Sequence, residues 1–190
     1  MKRILLALTV LLSVQLADAQ VKSPEAVKKA VDAAEAASKD AKKATKVATW
    51  LKLATAYMDA YNAPKGSAWI GASKQELQLV MGSEKPVSSE QVVLGGEPCV
   101  TEVYADKEIY FNQNGQVIMI YVTKPIYENA LSQALEAYKK AYEVDVKKSK
   151  EKDITAGIQS ITQNLMDDGM SSYMFEDYDT ASRLFGQAVE

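Results

Sequence analysis

The chain predicts a mainly α fold of helical hairpins, with a small antiparallel β-meander inserted in the first hairpin. Three observations carry this expectation. Apolar and small residues recur at helical spacing in residues 50–57, 134–141 and 165–188. Between the first two stretches the pattern changes to short β-rich runs at residues 100–104, 108–111 and 117–122. The spacing of Ala134, Tyr138 and Ala141 also equals that of Ala181, Phe185 and Ala188, so one helix face is written twice.

Residues 1–19 read as a secretory signal peptide. Met1-Lys2-Arg3 is a basic start, residues 4–16 are mostly apolar, and Ala17-Asp18-Ala19 supplies small residues for cleavage. The apolar run is shorter than the roughly 20 residues a membrane span needs. No cysteine follows it, which argues against a lipid anchor there. The expected location is periplasmic or secreted. Losing Lys2, Arg3 and Asp18 takes the chain from 22 basic and 25 acidic residues to 20 and 24. That mild acidity, without a basic stripe, argues against nucleic acid as a partner. Membrane association is expected only through an envelope complex.

Cys99 is the single cysteine, so no intramolecular disulfide can form. A mature chain of about 170 residues is long enough to rely on its core instead. Histidine is absent from the sequence. That removes the commonest general base and most zinc sites. No metal and no cofactor is expected.

Residues 20–61 predict two N-terminal helices. Ser23-Pro24-Glu25 combines a capping serine, a first-turn proline and an acid near the positive helix end. The alanine-rich run that follows predicts a thin amphipathic helix as far as Ser38. A longer helix is expected over residues 39–61, ended by the turn residues of 62–67.

Residues 62–128 predict an inserted α+β element. Ser73-x2-Glu76 is a capping-box signature ahead of Leu77, Val80 and Met81. Residues 84–98 are rich in serine, glycine and proline and read as a loop. Three antiparallel strands follow, separated by turn chemistry at residues 105–107 and 112–115. Strict alternation would place Val117, Met119 and Tyr121 on one face, with Ile118, Ile120 and Val122 on the other. One face is expected on the helices, the other on Trp69, Leu77 and Val80.

Residues 129–150 predict the second helix of the first hairpin, and residues 153–190 a second hairpin. The motifs Trp50-x2-Leu53-Ala54-x2-Tyr57 and Ala181-x3-Phe185 resemble the tetratricopeptide repeat, a helical hairpin of about 34 residues with Trp-x2-Leu-Gly-x2-Tyr and Ala-x3-Phe signatures. The resemblance implies an α-α superhelix, with the first repeat split by the insert. The second repeat departs from the pattern: Asp168 and Ser172 stand where leucine and tyrosine are usual. Its apolar final helix suggests further repeats after Glu190.

Two classes of function follow. The first is an exported, non-enzymatic interaction or assembly scaffold of the cell envelope with a protein or peptide partner. The resemblance implies that Met166, Met170, Tyr173 and Met174 line its binding side, and methionines suit adaptable apolar contacts. The second class is a ligand- or glycan-binding protein using Trp69, Tyr104, Tyr110 and Tyr121 for stacking. No catalytic residues are assigned. Cys99 reads as a small apolar residue entering a strand. Asp167-Asp168 and the acids of residues 176–179 read as a solvated helix end and turn, since they lack calcium-loop spacing.

Overall fold

The computed structural model describes residues 22–189; the expected signal peptide lies outside them. Helix α1 (Pro24–Lys39) begins as its sequence dictates, with the Ser23 hydroxyl accepting from the Ala26 N–H at 3.3 Å. Helix α2 (Val47–Asn62) starts later than expected. The Asp40 carboxylate accepts from the N–H groups of Lys42 and Lys43, both at 3.0 Å. This local turn competes with the helix, as aspartate does wherever its side chain can reach nearby main chain.

A short 3₁₀ turn, Ala63–Lys65, leads to helix α3 (Lys74–Val80). There Ser73 and Glu76 form a reciprocal capping box. Four strands follow: β1 (Ser88–Leu94), β2 (Glu97–Val103), β3 (Lys107–Phe111) and β4 (Val117–Val122). They pair antiparallel in chain order. Helices α4 (Ala130–Val144), α5 (Glu151–Met174) and α6 (Tyr178–Val189) complete the chain.

The architecture is α+β, which corrects the mainly α expectation of superhelical hairpins. The four-stranded sheet follows three helices and forms a layer with two apolar faces of its own; it is not a three-stranded meander lodged in a first hairpin. The strand missed from sequence is β1. Its residues look like loop because most of them face solvent. Gly95 and Gly96, with φ of +58° and +85°, form the tight turn that folds it onto β2. Two consecutive left-handed residues suit a two-residue hairpin loop, and glycine takes that conformation without Cβ strain.

A second correction concerns β4. The pairing with β3 shifts register between Tyr110 and Phe111. This bulge breaks the alternation. Val117 joins Ile109, Phe111 and Ile120 in a core built against Leu77 and Met81, while Ile118 and Met119 face Leu94, Cys99 and Tyr110 on the other side. Trp69 and Val80 remain substantially exposed.

Helices α1, α2, α4, α5 and α6 share one core. Helix α2 packs on α1 and α4, α4 on α5, and α5 on α6. Leu53, Ala54 and Tyr57 of α2 meet Ala134, Tyr138 and Ala141 of α4 there. Small residues set the helix spacing. At Gly157 an added Cβ would lie 2.1 Å from the Tyr138 ring, and at Gly169 it would lie 2.5 Å from Phe185 Cε1.

Candidate functional site

The sheet and the helical layer diverge to leave a cleft of about 590 Å³. Its boundaries are the end of α2 with the 3₁₀ turn, strand β4 with the segment after it, the start of α4, the second half of α5, and α6. Tyr121, Tyr127, Leu165, Phe175 and Leu184 supply apolar surface. The Phe175 ring meets Tyr121 edge-on at 4.9 Å between centroids and Tyr110 at 5.7 Å, tying the end of α5 to the sheet.

Three polar residues converge within it. Tyr61 lies in the last turn of α2, and Lys65 follows four positions later at the end of the 3₁₀ turn. Buried Pro64 helps set that turn, and Gly66, at φ +64°, ends it. The Tyr61 hydroxyl donates to Asp168 Oδ1 at 2.8 Å. Lys65 Nζ lies 3.9 Å from the centroid of the Tyr61 ring, a cation–π contact.

Burial shifts all three groups. It raises the Asp168 carboxyl above its ordinary range, against the opposing pull of Lys65 and of the Tyr61 hydrogen bond. It lowers the Lys65 ammonium, with Asp168 and Asp167 partly offsetting it. It raises the Tyr61 phenol, and the Asp168 charge adds to that effect. Desolvation disfavours each charged form. An ammonium, a carboxyl and a phenol converging beside the apolar surface of Tyr121, Leu165 and Phe175 can orient a polar feature of a ligand whose apolar part lies on that surface. Among the described residues no cluster of acidic or sulfur ligands could hold a metal ion.

The residues singled out from sequence do not form one surface. Met166, Met170 and Tyr173 are 40%, 51% and 55% exposed. Helical geometry puts them on the side of α5 opposite Leu165, Asp168 and Phe175, which line the cleft. Met174 instead packs on the cluster of Leu94, Cys99, Tyr110 and Met119, because the sheet reaches over the last turn of α5. Of the proposed stacking residues, Tyr104 and Tyr110 are buried, Trp69 lies outside the cleft, and Tyr121 lines it. Cys99 is buried.

Tyr61, Lys65 and Asp168 were not assigned a role from sequence. A signal existed: Asp168 and Ser172 are polar at positions where the repeat consensus is apolar or aromatic. Both line the cleft rather than a solvated helix end.

No family model, curated protein or solved structure matches the chain.

Proposed function

We propose that this protein is an exported, non-enzymatic binding protein that captures a segment of a partner protein in the cleft and serves as an assembly scaffold of the cell envelope. The cleft's composition carries this reading: aromatic and aliphatic surface from Tyr121, Tyr127, Leu165, Phe175 and Leu184 stands beside the convergent group Tyr61, Lys65 and Asp168, in a lining that also carries Glu108, Glu128, Asp177 and Arg183. Its size accommodates several residues of a peptide. The alternative of glycan stacking on the strands is less favoured, because Tyr104 and Tyr110 are turned into the protein. Export rests on the basic, apolar and small-residue pattern of residues 1–19.

Site-specific photocrosslinking in the source cell tests the proposal. A photoreactive phenylalanine analogue at Leu184 or Tyr121 should give discrete adducts with a protein in the envelope fraction. The same group at Val146, which is 90% exposed and remote from the cleft lining, should give none. Absence of adducts from both cleft positions would overturn the reading.

A further inference from the structure

We infer that the captured segment binds as an extended strand added to the outer edge of β4, through the main chain of Ile120 and Val122. This rests on the cleft being the binding site and specifies how it is used.

The sheet order leaves one edge of β4 without a neighbouring strand. The hydrogen-bond phase decides which residues face that edge. The Tyr104 N–H donates to the Lys107 carbonyl at 2.8 Å, so Lys107 and Ile109 turn their main chain toward β2. Glu108 and Tyr110 therefore turn toward β4, opposite Tyr121 and Met119. The Thr123 N–H, donating to the Asp106 carbonyl at 2.9 Å, keeps the same phase. The N–H and C=O groups of Ile120 and Val122 consequently point away from the sheet.

The start of that edge is already occupied. The Val117 N–H donates to the Ala72 carbonyl and the Gly71 N–H to the Val117 carbonyl, both at 2.8 Å. Past the bulge this pairing stops. Among the described residues, neither Ile120 nor Val122 has a hydrogen-bond partner on the outer side, and both line the cleft. Main-chain groups beside apolar walls need partners, and an extended peptide supplies them in register.

The opposite sheet edge behaves differently. By the same phase Ser89, Gln91 and Val93 of β1 present their main chain outward, but all are exposed and none lines the cleft. That edge lies open to solvent. Charge narrows the occupant further. The cleft carries Glu108, Glu128, Asp168 and Asp177 against Lys65 and Arg183, an acidic balance. The structure thus fits a short extended segment of a partner protein bearing apolar residues and at least one lysine or arginine.

A phage-displayed library of random heptapeptides, selected on the full chain, provides the probe. Ser171→Trp fills the cleft from a partly exposed position and serves as the test of the cleft itself. Val122→Pro deletes the outward N–H while leaving the β3 ladder intact, as proline can on an edge strand. Val93→Pro makes the equivalent change on β1. Selected peptides should lose binding to Ser171→Trp, bind Val122→Pro about tenfold more weakly, and bind Val93→Pro unchanged. On the unsubstituted chain, peptide should slow amide exchange at Ile120 and Val122 but not at Gln91 or Val93, a readout independent of whether Val122→Pro folds. Peptides insensitive to Ser171→Trp, or no selected peptide at all, would overturn the cleft reading and this inference with it. Peptides sensitive to Ser171→Trp but with unchanged exchange at Ile120 and Val122 would overturn strand addition alone.

Discussion

The hydroxyl of Tyr61 donates to Oδ1 of Asp168 at 2.8 Å across 107 positions of the chain. This bond joins the end of α2 to the second half of α5 inside the cleft. Tyr61→Phe removes the donor while leaving a partly buried carboxylate behind. The expected loss is about 1–3 kcal/mol, the desolvation cost of an unsatisfied group. Urea unfolding measures it. Adding Asp168→Leu should recover part of the loss, because the orphaned acceptor is then gone.

The same carboxyl makes stability depend on pH in a defined direction. Burial, the largest influence, raises the Asp168 pKa above its unfolded value. The native chain therefore takes up this proton at a higher pH than the unfolded chain does. The contribution of this group to stability grows as pH falls through the native pKa and is complete below the unfolded value of about 3.9. It is lost as pH rises again. Relative to Asp168→Asn, the unsubstituted protein should gain stability over the window in which pH falls toward the unfolded value of about 3.9. A stability difference that stays flat over this window contradicts the prediction.

Gly169 cannot accept a methyl group without displacement, since its Cβ would sit 2.5 Å from Phe185 Cε1. Gly169→Ala should destabilise the α5–α6 pair by about 1–3 kcal/mol, the range for overpacking. In a Phe185→Leu background the same change should cost less. Thermal melts of the unsubstituted protein and the three variants complete the cycle.

Glu176 holds φ at +62° in the turn between α5 and α6. A side chain in the left-handed region is strained, and glycine relieves it. Glu176→Gly should raise stability by about 1 kcal/mol, read as a higher denaturation midpoint with an unchanged slope.

Ser73 caps α3 and stands next to Lys74, whose N–H donates to the Gly115 carbonyl at 3.0 Å. Ser73→Ala should cost about 1 kcal/mol. Faster amide exchange should appear in the first turn of α3 and at Val117, with α1 unaffected.

Short-range chemistry was legible in the chain. Ser23 with Pro24 starts α1, and Ser73 with Glu76 starts α3. Asn112 accepts from the N–H groups of Asn114 and Gln116 in the turn between β3 and β4. Strand β1 was not legible, because an exposed edge strand lacks the apolar alternation by which strands are recognised. Nor was the split of the methionine set, because nothing near Met174 announces that a sheet will cover it.

Caps, turns and helix periods depend on residues within one or two turns of each other, so the order of residues alone determines them. The cleft depends on which surfaces meet. Tyr61 and Asp168 acquire their shifted titration only when α2 and α5 exclude water together, and the outward phase of Ile120 and Val122 is fixed by pairing across β2, β3 and the bulge. Those are long-range consequences of packing and register. Tertiary structure decided them because no local propensity encodes which distant group will replace a residue's water.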